Sequence, residues 1–284
     1  MYRIPLGQLV SAGVDWLLKY YGHLFDAFAA GVNTFIYVLK DGLLLLPWWV
    51  SILIVAALSW RVRGWRLAVG SSIGLLLIYD LQLWSALIDT LVLVIISAFV
   101  SILIGLPLGI LAARKQTFQR VMAPILDFMQ TMPSFVYLIP ALMLFGLGTV
   151  PAVFATVVFA MPPVIRLTNL GIRQVPVDLV EVGEAFGSTP FQLLWKIQLP
   201  LAMPTIMAGI NQTMMLSLSM VVIAAMIGSG GFGQGVLAGI SQMDIGKGFE
   251  NGLAVVILAM ILDRLSQGLI NSSKKGKKFN HVGG

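Results

Sequence analysis

The sequence predicts an all-helical integral membrane protein, and three observations carry that expectation. Of the 284 residues, 58% are hydrophobic and only 11% are charged, against about 25% charged in a typical soluble domain. The mean hydropathy is +0.93. The apolar residues also come in blocks: residues 43–60 and 90–113 each run without a charge up to the closing Arg61 and Arg114, and a helix needs about 20 such residues to cross the hydrocarbon core. The blocks are apolar throughout instead of alternating, which excludes a barrel and leaves helices as the elements able to satisfy their own backbone in lipid. A water-soluble globule is excluded by the shortage of polar surface.

Seven segments qualify as spans: residues 42–60, 67–87, 90–112, 129–147, 150–165, 201–227 and 252–270, with Asp80 interrupting the second near one end. Basic residues orient them, because Lys and Arg concentrate in cytoplasmic connections. One set of connections holds Arg61, Arg63, Arg66, Arg114, Lys115, Arg120, Arg166, Arg173, Lys196, Arg264, Lys274, Lys275, Lys277 and Lys278; the other holds only Arg3, Lys19, Lys40 and Lys247. With seven spans these sets alternate when the N-terminus is outside and the C-terminus is cytoplasmic.

The flanks of the span region differ in kind. Residues 24–39 mix Leu24, Phe25, Phe28, Phe35, Ile36 and Leu39 with Asp26, Asn33 and Thr34, the pattern of a helix lying along a membrane surface, with a weak eighth span or a loosely ordered tail as the alternatives. The expected organisation is thus an extracytoplasmic N-terminal segment (1–41) with an interfacial amphipathic helix, a transmembrane domain (42–270), and a basic cytoplasmic tail (271–284). The tail lysines either lie on anionic headgroups or are solvated. Residues 1–8 lack the basic stretch, apolar core and small-residue cleavage site of a signal peptide.

Several function classes drop out. With no Cys, thiolate metal sites and Cys nucleophiles are absent. His23 and His281 are far apart with no paired carboxylates, so no metal site is expected. Gly228-Ser229-Gly230-Gly231-Phe232-Gly233 fits G-x-G-x-x-G, but it follows a membrane span and not a strand; it reads as a turn or re-entrant segment permitting close packing. No G-x-x-x-x-G-K-[ST] occurs, so the chain has no phosphate cradle of that kind. The net charge of +6 belongs to the topology signal, and nucleic acid is not an expected partner.

Residues 166–200 are the one long cytoplasmic connection. Pro176 precedes a helical run, 177–186, which Gly187 ends by supplying a residue free to take positive φ. Thr189-Pro190-Phe191-Gln192 then opens a second helix, with Thr189 as N-cap, Pro190 at the first position and Gln192 completing a capping box. Pro200 is expected to end that helix. Two short helices joined at a glycine make a stiff knob.

The run Glu181-Val182-Gly183-Glu184-Ala185-Phe186-Gly187 through Ile197-Gln198-Leu199-Pro200 resembles the cytoplasmic signature of ABC-importer permeases: Glu-Ala-Ala, three residues, Gly, nine residues, Ile, any residue, Leu-Pro. Glu181, Gly187, Ile197, Leu199 and Pro200 fall at the required spacing, while Val182 and Gly183 depart from the two alanines. Over residues 84–267, stretches such as Asp127-Phe128-Met129-Gln130-Thr131-Met132-Pro133, Phe159-Ala160-Met161-Pro162-Pro163 and Ala208-Gly209-Ile210-Asn211-Gln212 look like the permeases for glycine betaine, proline betaine and related quaternary-ammonium compatible solutes.

That resemblance implies the type I, methionine/betaine-like permease fold in a bacterial plasma membrane. It implies a homodimer, two cytoplasmic ATPase subunits that bind the ATP, and, because the chain stops 14 residues after Ile270, a separate extracytoplasmic binding protein. The chain itself would carry no catalytic residue and no cofactor. Glu181, Glu184, Ala185, Gly187, Ile197, Leu199 and Pro200 would couple to the ATPase, with solvated helix surface the alternative for Glu181 and Glu184. For the translocation path the candidates are Met132, Pro133, Met161, Asn211, Gln212 and Ser219. Gln212 and Ser219 share one helix face and Thr213 and Ser217 another; either face serves a path or interhelical packing. Gly105 and Gly109 make a small-xxx-small pair for close helix approach, within one chain or across a dimer. Permeases for choline, carnitine or another small polar solute stay open as alternatives. An ion-coupled secondary transporter is disfavoured, because the sequence lacks the repeats and intramembrane ion-coupling charges common in that class.

Overall fold

The computed structural model describes residues 6–278, and among them no strand occurs. Helix α1 runs over Leu6–Leu44, and α2 (Trp48–Arg63) and α3 (Trp65–Asp80) form a hairpin about Gly64. Next come α4 (Trp84–Arg114), α5 (Gln116–Thr131), a 3-10 turn at Ser134–Tyr137, α6 (Leu138–Phe145), α7 (Thr149–Ala160) and α8 (Pro162–Arg173). The chain closes with α9 (Val177–Ala185), α10 (Pro190–Leu193), α11 (Leu199–Ala224), α12 (Gly231–Ser241) and α13 (Ile245–Lys278).

Five helical stretches are long and apolar enough to cross a membrane: Ser11–Leu44, Trp84–Arg114, Thr149–Arg173, Pro190–Ile227 and Ile245–Gly268. A sixth is the pair Gln116–Thr131 and Ser134–Phe145, bent by 110°. The differences from the seven expected segments have local causes. The apolar run at 42–60 counts through Pro47, which caps α2 with φ −54 and ψ 141. The run at 67–87 counts through Gln82, whose φ of 58 turns the chain before α4. What remains are two helices of 16 residues, each about 24 Å long and short of the ~30 Å hydrocarbon core. The run at 129–147 is broken at Met132-Pro133: Pro133 lacks an N–H, and Met132 before it is extended at ψ 135.

Helix α1 spans 39 residues, so the expected domain boundary at 41/42 falls inside it. Its contact face is periodic: Val14, Leu18, Phe25, Ala29, Val32, Leu39 and Leu43 are partly covered and Ile36 is buried. Asp15, Lys19 and Asp26 follow a second line along the helix, while Trp16, Tyr20, Leu24, Phe35 and Val38 are exposed on a third. At the other end, α13 carries residues 271–278 of the expected tail as helix; residues 279–284, with His281, lie outside the described residues, as do 1–5 with Arg3.

The centre of the bundle is α8, seated between α4 and α11 through small residues. A Cβ on Gly105 would lie 2.4 Å from Val164 Cγ1, and one on Gly109 would lie 2.6 Å from Thr168 Cβ. On the other side, a Cβ on Gly209 would lie 3.0 Å from Leu167 Cβ. Gly105 and Gly109 therefore pack helices within one chain, which decides between the two readings of that pair.

Candidate functional site: the α9–α10 hairpin and the exposed face of α11

The connection between α8 and α11 folds as a hairpin projecting from one end of the bundle. α9 ends in a six-to-one closure: Ser188 N–H donates to Gly183 O at 3.0 Å and Gly187 N–H to Glu184 O at 2.8 Å, with Gly187 at φ +73. L-residues pay a steric cost there. Across the turn, Gln192 N–H donates to Thr189 Oγ1 at 3.3 Å and Thr189 N–H to Gln192 Oε1 at 3.0 Å, the two bonds of a capping box.

Pro200 does not end the second helix. Residues Leu194–Gln198 form a π turn, and the Leu199 N–H donates to Leu194 O, five residues back. The wider turn places Pro200 at the start of α11, where a missing N–H costs little. Residues from Pro190 to Ile227 therefore form one continuous apolar stretch. The hairpin is built onto α11 itself.

Packing within the hairpin explains its departure from the Glu-Ala-Ala pattern. Gly183 is buried, and a Cβ there would lie 2.6 Å from Ile197 Cδ1 and 2.7 Å from Leu193 Cδ1. The missing methyl makes room for two larger side chains. Leu199, 7% exposed, joins Ile172, Leu194, Ala202 and Ile206 in an apolar cluster that roots the hairpin. Ile197 and Leu199 thus work inside the structure, whereas Glu181, Glu184, Ala185 and Gly187 are exposed and Pro200 is half-buried. The exposed surface also carries Val182 (51%), Phe186 (87%), Phe191 (65%) and Trp195 (55%), the last two with ring centroids 5.9 Å apart. Sequence reasoning missed this apolar surface; the signal was two i, i+4 apolar pairs in a segment outside the spans.

Two clefts lie at the hairpin end. One of about 240 Å³ is lined by Arg114, Glu184, Ser188 and Gln198, with the Arg114 guanidinium donating to Pro190 O at 3.4 Å. The other, about 440 Å³ between α5 and α8, holds an Arg166–Asp127 ion pair. Arg173 beside it donates to Asn169 Oδ1 at 2.9 Å and to Ala112 O at 3.1 Å.

The candidate path residues separate. On α11, Gln212 and Ser219 are exposed on one face, while Thr213 and Ser217 are fully buried on another. Asn211 leaves that exposed face: its Nδ2 donates to Asp263 Oδ1 at 3.2 Å, its Oδ1 accepts from Ser266, and Gln267 Nε2 donates to Asp263 Oδ1 and Oδ2 at 2.7 and 2.9 Å. This network ties α11 to α13, and Asp263 was not singled out from the sequence. Met161 is half-buried at the α7–α8 junction, its Cγ 3.2 Å from where a Gly105 Cβ would stand. Met132 is half-buried and Pro133 exposed at the 110° bend. The Tyr137 hydroxyl donates to Met129 O across that bend, and its ring meets Phe159 edge-on at 5.7 Å. Among the described residues no group of three or more His, Cys, Asp or Glu could hold a metal ion. The Gly228–Gly233 motif is a turn leading into α12, with no strand before it.

A multi-pass helical bundle with a capped, exposed hairpin fused to a central helix is the architecture of the membrane-embedded permease subunit of an ABC importer. The comparisons agree. Residues 105–272 match the family model described as "Binding-protein-dependent transport system inner membrane component", and the chain belongs to that family. It is 49% identical over 267 residues to the glycine betaine transport system permease protein OpuAB of Bacillus subtilis (strain 168), covering 94% of this chain and 95% of the relative. Identity is 47% over 271 residues to the glycine betaine/proline betaine transport system permease protein ProW of Escherichia coli (strain K12), covering 95% and 77%. It is also 47% over 277 residues to the glycine betaine/carnitine transport permease protein GbuB of Listeria monocytogenes serotype 1/2a (strain 10403S), covering 95% and 97%. Among solved structures, the inward-facing MetNI methionine ABC transporter aligns with a TM-score of 0.60 at 22% identity, covering 65% of this chain and 92% of that one. That likeness establishes the fold.

Proposed function

We propose that this chain forms the translocation path of an ATP-driven importer for a compatible solute of the glycine betaine and proline betaine kind. Near-full-length identity of 47–49% to permeases named for those solutes supports the substrate class. The observation that carries the mechanism is the π turn, which makes hairpin and α11 one mechanical piece.

In this reading two copies assemble with two cytoplasmic ATPase subunits and a separate external binding protein. The hairpin end is cytoplasmic, the N-terminus outside, as the crowding of Arg and Lys at that end supports. Each hairpin seats Val182, Phe186, Phe191 and Trp195 in a groove of an ATPase, with Glu181 at the rim. Closure of the ATPases moves the hairpins together and swings α11. Its Gln212–Ser219 face lines the path, and the bend at Met132-Pro133 and the α7–α8 junction at Met161 are where the spans change shape. Asn211 is assigned to holding α11 on α13. The N-terminal half of α1 lies along the outer interface, its polar line toward water and its exposed aromatic line toward lipid.

Reconstitution into liposomes tests this reading. With ATPases and receptor, uptake of glycine betaine is expected to require ATP and to be absent for the permease alone. Uptake by the permease alone, driven by an ion gradient, would contradict it.

A further inference from the structure

Helix α12 starts without a side-chain cap of its own. The cap comes from Thr90, 142 positions earlier in the chain: its Oγ1 accepts the Phe232 N–H at 2.9 Å and donates to Ala86 O at 2.8 Å. Thr90 is 1% exposed and Phe232 fully buried, so water does not compete for this bond. The glycine turn fits the same corner of α4. A Cβ on Gly231 would lie 2.5 Å from Thr90 Oγ1, and one on Gly230 would lie 3.8 Å from Asp89 Oδ2. The Asp89 carboxylate thus stands beside the electropositive start of α12. Its other oxygen is 2.6 Å from Lys40 Nζ on α1. A two-residue corner, Asp89-Thr90, therefore joins the N-terminal helix, the glycine turn and α12.

The opposite end of α4 touches the coupling hairpin through Arg114 and Pro190 O at 3.4 Å. Between Thr90 and Arg114 the helix rises about 36 Å, held against α8 at Gly105 and Gly109. The turn at its far end has φ values of +84, +78 and +72 at Gly228, Gly230 and Gly231, a backbone free to rearrange without side-chain penalty.

We propose, resting on the importer reading above, that Asp89 and Thr90 are positioning residues of the outer gate. They hold the turn at 228–231 and α12 across the outer mouth, and α4 releases them as the hairpin moves. Lys40 places α1 in the same linkage.

The absence of Cys allows a single reporter. Ser229 is 6% exposed and its Oγ has no hydrogen-bond partner, so Ser229→Cys removes no bond. In the complete complex, with ATPases and receptor in liposomes, reaction of this cysteine with a membrane-impermeant maleimide is expected to be slow without nucleotide and at least about fivefold faster when ATP hydrolysis is trapped with vanadate. Thr90→Val keeps the shape and loses the acceptor, so it is expected to give the fast rate without nucleotide, while Thr90→Ser keeps the slow one. Lys40→Met is expected to speed labelling and Lys40→Arg to preserve protection; these decide the matter if Thr90→Val does not insert. Equal labelling in Val and Ser variants at position 90, or in Met and Arg variants at position 40, overturns the proposal. A parent rate indifferent to ATP, in liposomes that still take up glycine betaine with ATP, likewise overturns the gate proposal; uptake that needs no ATP overturns the importer reading instead, and the labelling does not depend on the solute's identity.

Discussion

The Leu199 N–H bonds to the carbonyl of Leu194, five residues back, and this one displaced bond lets Pro200 stand inside a helix it would otherwise interrupt. A proline in a helix interior costs about 3 kcal/mol through its missing N–H and its ring. Here the π turn sets Pro200 at the start of α11, where a missing N–H costs little, and on the proposed reading force on the hairpin reaches α11 through one continuous helical stretch. The predictions below follow from that continuity and from the contacts that stiffen it.

Gly187 adopts φ +73 with open space around its Cα, so a side chain there is opposed by backbone strain and not by a clash. Gly187→Val is expected to lose most uptake while ATP hydrolysis by the complex continues, and Gly187→Asn, which tolerates positive φ, to retain more. Uptake per ATP hydrolysed, at matched membrane expression, checks this.

Glu181 is exposed on α9. Glu181→Lys is expected to insert normally and to lower uptake by an order of magnitude or more through charge reversal at the ATPase groove. Wild-type uptake by this variant would remove Glu181 from the contact.

Gly183 faces Ile197 and Leu193 with no room for a methyl. Gly183→Ala is expected to be tolerated, because the ends of both flexible side chains can shift. Gly183→Val overpacks the hairpin by about 1–3 kcal/mol, and its loss of uptake should exceed that of Gly183→Ala by at least severalfold. Transport assays on the pair decide.

Asn211 bridges Asp263 and Ser266. Interhelical hydrogen bonds in membranes average about 0.6 kcal/mol, so Asn211→Leu is expected to lower the thermal midpoint in detergent by a few degrees. Gln212→Leu, on the exposed face, should leave the midpoint unchanged and reduce uptake. Thermal melts beside uptake measurements separate the two roles.

Much of the hairpin was legible because its determinants are local. Thr189, Pro190 and Gln192 specify a helix start among themselves, and Gly187 specifies a stop. Local patterning also separated the Gln212–Ser219 face of α11 from Thr213 and Ser217. What escaped notice depends on partners distant in sequence. The bond of Asn211 to Asp263, on a helix 52 positions away, is one that no local pattern around Asn211 announces. The role of Pro200 depends on a shift of hydrogen-bond register that no residue type announces. The span limits were misplaced where apolarity continued through a backbone break, at Pro47, Gln82 and Pro133, since hydropathy counts side chains and not dihedral angles.

The most direct measurement is the distance between the two hairpins of an assembled transporter. Lys196 is exposed, so Lys196→Cys in this Cys-free chain places one spin label on each copy. Double electron–electron resonance is expected to show the labels several ångströms closer in the ATP-trapped complex than without nucleotide. An unchanged distance in a complex that still couples ATP hydrolysis to uptake would contradict the lever mechanism.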